Sequence, residues 1–263
     1  MRLSRTERWE RSPKRDGFTL VEMLMVLVII GLIISIALPG LKGLKRTNVE
    51  ANANRQLLDD LALARQRAIV GRTTVHVVFV PTNILDLNFT SLPKPEQDQV
   101  ERLKAGVFTT YALFVERSLG DQPGQPNYKY ITTWKSLPEG MMIRQSEFNF
   151  DPPDVWRGIS PPESRAFLYL LLPFPSANGM NTLVPQIAFG PHGGLVDDKG
   201  NRILDDEVIE VTRGSIFFDR DASGTISGVD AKGPPNYNPI EDRNWIRIDG
   251  LTGRAKVDRK EIQ

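Results

Sequence analysis

Hydrophobic positions divide the chain into a helical N-terminal part and a larger β-rich part. From Phe18 to Leu38, 21 residues are almost all apolar and include one charged side chain, Glu22. As a helix this run would extend about 31 Å, close to the thickness of the hydrocarbon core of a bilayer. The pattern therefore predicts a membrane-crossing helix over residues 18–41, which weakens at Pro39 because proline lacks a backbone donor.

A second helical segment follows, and its pattern is amphipathic. Leu57, Leu61, Ala64 and Ala68 recur at i, i+4, i+7 and i+11, which places them on one face of a helix. We therefore predict an amphipathic helix over residues 42–71, with this stripe packed on a sheet. Gly71 is a suitable residue for its C-terminal end.

Beyond residue 71 the pattern is typical of strands separated by turn-rich loops. Runs of β-branched and aromatic residues predict strands at 73–80, 107–115, 128–134, 166–172, 186–190, 208–213, 215–218, 244–249 and 254–258. No long helix is indicated there. Residues near 81–105 and 149–163 are rich in helix and strand breakers and are interpreted as inserted surface loops. The expected fold class is α+β, a long N-terminal helix packed on a mostly antiparallel sheet.

Charge and composition exclude several classes of function. The chain has 33 Lys and Arg against 32 Asp and Glu, so it has no overall field that would attract nucleic acid. Cysteine is absent, which excludes disulfides, thiolate zinc sites and cysteine nucleophiles. The first 17 residues are basic overall and precede the apolar run, which favours a cytoplasmic N-terminus.

Glu22 requires a partner if the apolar run lies in a membrane. A carboxylate in a span costs about 2.5–3.5 kcal/mol at the bilayer centre, and such residues usually pair. No Lys, Arg or His lies between Gly17 and Lys42, so no side chain of the run can neutralise it. The α-amino group created by cleavage after Gly17 would lie one helical turn away, in the same chain or in a neighbouring copy. A simple signal anchor is the alternative reading of the run.

Residues 14–22, Lys-Arg-Asp-Gly-Phe-Thr-Leu-Val-Glu, resemble the prepilin cleavage and methylation motif of type IV pilins and type II secretion pseudopilins. The resemblance implies that a prepilin peptidase cuts between Gly17 and Phe18, removes residues 1–17 as a cytoplasmic leader, and methylates the new N-terminal residue Phe18. It also implies that Glu22 pairs with the N-terminus of an adjacent subunit and sets the register during filament assembly. The implied fold is pilin-like.

Three later segments are similar to the GspH/FimT group, the H-class minor pseudopilins of type II secretion and related minor pilins. They are LALARQRAIVGRTTVHVVFV, IAFGPHGGL and WIRIDGLTGRAKV. The resemblance implies a non-enzymatic minor pseudopilin that assists protein export and crosses the bacterial inner membrane once, with residues 72–263 forming a periplasmic head. Its implied partners are other pilin or pseudopilin subunits, prepilin peptidase and the inner membrane. The alternatives are a minor pilin of a type IV pilus and a membrane-anchored periplasmic binding module.

Residues 219–230, DRDASGTISGVD, have the spacing of a twelve-residue calcium loop, with glycine at the sixth position. The candidate calcium ligands are Asp219, Asp221, Ser223, Thr225 and Asp230. An Asp- and Gly-rich turn between two strands gives much of the same pattern. A calcium loop and a plain turn are therefore both compatible with the sequence.

No catalytic motif is found in the sequence. It contains no Gly-x-Ser-x-Gly elbow, phosphate-binding loop, dinucleotide glycine fingerprint or His-Glu-x-x-His helix. His76 is expected on a sheet face and His192 in a turn. Adjacent acidic pairs such as Asp59-Asp60 point in different directions in a helix or strand, so they are interpreted as solvated. We expect a protein that is not an enzyme.

Overall fold

The computed structural model describes residues 19–117, 121, 127–148, 167–222, 224–233 and 244–259, with the side chains of residues 36–48 and 259 excepted. The predicted leader 1–17 and the predicted insertion 149–163 lie outside the described residues. The chain divides into two compact units, Met1–Thr47 and Asn48–Gln263.

Helix α1 spans Leu20–Gly71. In the first unit, its described side chains from Leu20 to Ile34 are apolar on all sides of the helix apart from Glu22, and they are exposed. Phe18 and the side chains of residues 36–41, which belong to the predicted membrane segment, lie outside the described residues. Among the helices of the described part, none is both long enough and apolar enough to cross a membrane.

In the second unit, α1 buries the predicted apolar stripe. Leu57, Leu61, Ala64 and Ala68 are at most 1% exposed, and Ala53 extends the stripe by one turn towards the N-terminus. These side chains belong to one hydrophobic core with the strands. The predicted amphipathic helix is therefore confirmed over residues 49–71, and burial of this face is what stabilises it.

The residue that caps the C-terminus of α1 is Arg72, one position after the Gly71 that the sequence suggested. Gly71 is the last helical residue, and Arg72 takes the left-handed conformation, with φ 47°. The Arg72 N–H donates to Ile69 O and the Thr73 N–H donates to Ala68 O, at 3.3 and 3.2 Å. This is a Schellman motif, in which the left-handed residue is usually glycine.

The strands of the described part pair antiparallel. They are β1 (Val75–Phe79), β2 (Thr110–Val115), β3 (Lys129–Tyr130), β4 (Lys135–Ser136), β5 (Met141–Ile143), β6 (Leu168–Phe174), β7 (Met180–Phe189), β8 (Leu195–Val196), β9 (Glu207–Arg213), β10 (Ser215–Arg220), β11 (Ile226–Lys232), β12 (Asn244–Ile248) and β13 (Ala255–Arg259). Each of the nine predicted strand regions contains a strand, and the sequence missed β4, β5, β8 and β11.

These strands form two larger sheets and a hairpin. The first sheet has the order β3-β2-β1-β7-β6, with β4 also paired to β2 and β8 to β7. The second has the order β13-β12-β9-β5, and β10 pairs with β11. All of these pairs are antiparallel. The α+β class is therefore confirmed.

The segment 81–105, predicted as a surface loop, is instead partly helical. It contains a 3-10 turn at Thr82–Leu85 and helix α2 at Lys94–Lys104. Val100 and Leu103 of α2 are buried in the core. The prediction was wrong because proline does not always exclude a helix. Pro95 lies in the first turn of α2, where a missing N–H breaks no helical hydrogen bond.

The interpretation of the Asp59-Asp60 pair as solvated is wrong for one member. Asp59 is exposed, but Asp60 is 5% exposed. Its carboxylate accepts a hydrogen bond from the Tyr111 hydroxyl at 2.7 Å and pairs with Lys135 Nζ at 2.6 Å. A buried carboxylate needs such partners, and here they tie α1 to the first sheet.

Candidate functional site

The first described residues of the chain, Thr19 to Glu22, form a complete helix cap. The Thr19 N–H and hydroxyl both donate to Glu22 Oε2, at 2.9 and 2.7 Å. In return, the Glu22 N–H donates to Thr19 Oγ1 at 3.3 Å. This is a capping box, in which residues three apart satisfy each other's unpaired backbone donors.

The capping box gives Glu22 a role that the sequence argument missed. Its signal was present as Thr-x-x-Glu ahead of an apolar run. Glu22 uses Oε2 for the cap, and within the described residues Oε1 has no hydrogen-bond partner. One carboxylate oxygen is thus committed to its own helix and the other can accept a further donor. Gly17 and Phe18, the predicted cleavage site, lie outside the described residues.

The three later segments that resemble minor pseudopilins meet at one place in the second unit. Arg65 of α1 donates from Nε to Thr252 O at 2.6 Å. The turn after β7 and the turn between β12 and β13 pack backbone against backbone, because a Cβ on Gly253 would clash with Gly193 O. Sequence segments about 190 residues apart thus form one junction.

Local conformation explains why these turns contain glycine. Gly193 and Gly253 have φ of 82° and 63°, in the region that glycine adopts at little cost. Asp249 Oδ1 accepts the Thr252 N–H at 2.7 Å, and hydrogen bonds from Thr252 lower the pKa of this exposed carboxyl. The junction therefore holds the closing hairpin against α1.

The two histidines lie in different environments. His192 is exposed in the turn after β7, whereas His76 is buried in the sheet, with its Nδ1 3.2 Å from Gln186 Oε1.

The candidate calcium loop falls on the hairpin of β10 and β11. Asp219 lies opposite Gly228 and Asp230 lies opposite Phe217, so the two carboxylates are diagonal neighbours. Asp221 Oδ1 accepts the Thr225 N–H at 3.0 Å across the turn. Asp230 pairs with Lys232 at 3.2 Å. Calcium would have to compete with these contacts.

Ser223, a further candidate ligand, lies outside the described residues. Among the side chains that the structure describes, no group of three or more His, Cys, Asp or Glu residues is arranged to hold a metal ion. Calcium binding at this hairpin stays a prediction. Titration of calcium into the chain and its Asp219→Ala variant tests it, and equal heats for both would reject it.

A second cluster of carboxylates lies between the 3-10 turn Gln145–Phe148 and strand β9. Glu147, Glu207 and Glu210 are each less than 10% exposed. Arg144 pairs with Glu210 at 2.8 Å, while Glu147 Oε2 is buried without a hydrogen-bond partner among the described residues. Burial, with the neighbouring Glu207 and Glu210 charges, raises the pKa of Glu147 well above its ordinary value.

Comparison with known proteins identifies one feature of the chain. Residues 12–38 match the family model described as the prokaryotic N-terminal methylation motif. No curated protein and no solved structure matches the chain significantly. The predicted motif is thus confirmed, and it supports a type IV pilin-like or pseudopilin chain. Such a motif implies processing by a prepilin peptidase and assembly with other pilin-like subunits. Similarity to the GspH/FimT group stays a prediction.

Proposed function

We propose that this chain is a non-enzymatic structural subunit of a pilus-like filament, and more specifically a minor pseudopilin of a type II secretion pseudopilus. The observation that carries the proposal is the methylation motif at residues 12–38, which includes the Thr19 to Glu22 helix start. The assignment to type II secretion rests on the three later segments, whose meeting at one junction is consistent with a shared structural role. A minor pilin of a type IV pilus carries the same kind of motif and is the second candidate.

In this proposal residues 18–41 anchor the subunit in the bacterial inner membrane and then form the filament core. The support is the composition of the run and the exposure of its described part. Thirteen large apolar side chains between Leu20 and Ile34 are 44–81% exposed. A helix that is apolar on every side needs lipid or other helices around it. The basic leader would stay in the cytoplasm and the β-rich unit would lie in the periplasm.

Glu22 would neutralise the N-terminus of a neighbouring subunit. After cleavage behind Gly17, Phe18 carries an α-ammonium group, and Glu22 Oε1 has the acceptor capacity to receive it. In an environment of low dielectric constant such a pair is strongly favoured over two separate charges. The same contact would fix the axial register of adjacent helices.

The first experiment is mass spectrometry of the N-terminus of the protein purified from its native membrane. We expect a chain that begins at Phe18 and carries one added methyl group on its α-amino nitrogen. A chain that still carries residues 1–17 would exclude the filament function.

The second experiment separates the two roles of Glu22. Glu22→Gln keeps a capping residue, since glutamine also serves in the capping box, but removes the charge. Thr19→Ala weakens the cap by about 1 kcal/mol and keeps the charge. We expect Glu22→Gln to insert into the membrane without entering filaments, and Thr19→Ala to assemble. Equal assembly of both variants would reject the proposed charge pairing.

A gene deletion distinguishes the two filament systems. Loss of the chain from a type II secretion system should leave secreted enzymes in the periplasm while surface pili persist. The opposite result, with normal export and missing pili, would favour the type IV pilus.

A further inference from the structure

A cleft of about 750 Å³ opens beside the edge of the first sheet, within the second unit. Its walls are the C-terminal end of α2, strands β3 and β4 with the residues between them, and the turn after β6. The volume is in the range of sites that bind small molecules or short oligomers.

The charged side chains among the described lining residues of the cleft are both cations. Arg102 and Lys129 line it and are exposed, and within the described part of the chain neither makes an ion pair or a hydrogen bond. None of the described lining residues is acidic. Two unpaired cations facing one concave surface favour an anionic ligand.

Two aromatic rings in the cleft are held in fixed positions. Trp134 donates from Nε1 to Pro175 O at 3.0 Å, and the Tyr130 hydroxyl donates to Pro173 O at 2.9 Å. Their polar groups are therefore already satisfied, and the two rings lie 5.5 Å apart. What remains for a ligand is mainly apolar ring surface, which suits the carbon faces of a sugar ring.

Hydroxyl groups complete the lining. Thr132 Oγ1 accepts the Leu113 N–H at 2.9 Å, which leaves its own hydrogen available, and Thr133 is exposed. Ser176 donates to Glu96 Oε1 at 2.6 Å and accepts the Asn178 N–H at 3.2 Å, so its oxygen has one lone pair left for a ligand. The last carbonyl groups of α2 have no partner within the helix and can accept hydrogen bonds from the hydroxyl groups of a ligand. Between β3 and β4 the edge is not strand-like, so it offers no ladder for an extended peptide.

A second cleft, of about 510 Å³, shares the lining residues Ala105 and Ser136 with the first. The described lining of this second cleft contains Glu139 and no cation, so an anionic ligand belongs in the first cleft. We propose that the cleft around Arg102, Lys129 and Trp134 binds an acidic oligosaccharide, with the carboxylates of uronic acid units on the two cations and a sugar ring on Trp134.

The test is isothermal titration calorimetry on the full chain in detergent, with trigalacturonic acid as the probe. We expect binding that weakens as salt is raised, because exposed charges are screened. Neutral maltotriose should bind at least 10-fold more weakly. Arg102→Gln and Lys129→Gln should each reduce affinity about 3- to 5-fold, and the double variant 10-fold or more.

Lys94→Gln is the matched control, because Lys94 is an exposed cation of the same helix α2 but does not line the cleft. Its affinity should equal that of the unchanged protein. Absence of binding at millimolar trisaccharide overturns the proposal, as does an equal loss in the Lys94→Gln control. Tighter binding of triglutamate than of trigalacturonate would also overturn it, in favour of an acidic peptide. None of these results depends on the filament function.

Discussion

At the scale of single residues, Arg72 occupies a backbone position that suits glycine. Its φ of 47° is in the left-handed region, which costs a residue with a Cβ about 1–2 kcal/mol. Its side chain is exposed, so its removal should cost little packing. We expect Arg72→Gly to raise the free energy of unfolding by up to about 1 kcal/mol, since glycine loses part of the gain to its more flexible unfolded state.

Chemical denaturation measures this change, and Arg67→Gly is the matched control. Arg67 is exposed in the interior of α1, where glycine costs about 1 kcal/mol relative to good helix formers. The two variants should therefore shift stability in opposite directions. Destabilisation by both would show that Arg72 has a role beyond the helix end.

Glu147 makes the stability of the second unit depend on pH. The groups around its carboxyl are Glu207, Glu210, the Glu210 backbone and Arg144. Because its pKa is raised in the folded state, the protonated form is favoured there, and its contribution to stability is present below the pKa of the unfolded chain. That contribution is lost as the pH rises through the raised pKa.

Glu147→Gln removes this titration and keeps the shape of the side chain. We expect the variant to be at least about 1 kcal/mol more stable than the unchanged protein at pH 8, since folding then no longer requires a carboxyl that is ionised in the unfolded chain to take up a proton or to be buried charged. The difference should shrink towards pH 4. Glu139→Gln, at an exposed position, serves as the control and should leave the free energy of unfolding nearly unchanged. A constant difference across the pH range would contradict the prediction.

At the scale of elements, the junction of the two late turns should tolerate no Cβ at Gly253. Gly200 has a similar φ, 80° against 63°, but open space around it. Gly200→Ala should therefore cost only the conformational strain, about 1–2 kcal/mol. Gly253→Ala adds the clash with Gly193 O and should cost roughly 2 kcal/mol more. Thermal unfolding of the two variants measures the difference, and equal losses would show that the backbone contact contributes little.

What the sequence could predict at this scale depended on periodicity. The apolar stripe of α1 and the β-branched runs were legible because burial on one face imposes a regular spacing. Helix α2 was missed because it buries little more than Val100 and Leu103, and its prolines are typical of loops. Strand β11 was missed because Ser227, Gly228 and Asp230 are poor strand formers, and pairing with β10 determines its conformation.

A candidate site could be predicted from the sequence only where its residues are close together along the chain. The methylation motif is local and was recognised from consecutive residues, whereas the cleft joins residues from Gln99 to Ala177 and has no signature along the chain. The burial of Asp60 could not be predicted for the same reason, since it depends on Tyr111 and Lys135, which are more than 50 residues away in the sequence. Single-sequence patterns do not contain such contacts.

At the scale of the whole molecule, the boundary between the two units predicts that the second unit folds alone. Every buried core side chain of the described part, from Ala53 to Ile248, belongs to Asn48–Gln263. The ion pair of Glu50 with Arg213, at 2.9 Å, also lies within it. We therefore expect a fragment of residues 48–263 to be a soluble, folded protein without the apolar run.

Thermal unfolding followed by near-ultraviolet circular dichroism tests this prediction, because Trp134 and Trp245 lie within the second unit and report its packing. The fragment should unfold in one cooperative transition at a temperature close to that of the full chain in detergent. It should also fail to enter filaments, since it lacks Phe18 and Glu22. A fragment further shortened to residues 62–263 is the control, because it loses Leu57, Leu61 and the Asp60 contacts. It should lose several kcal/mol of stability, and equal stability of the two fragments would show that this part of α1 does not support the core.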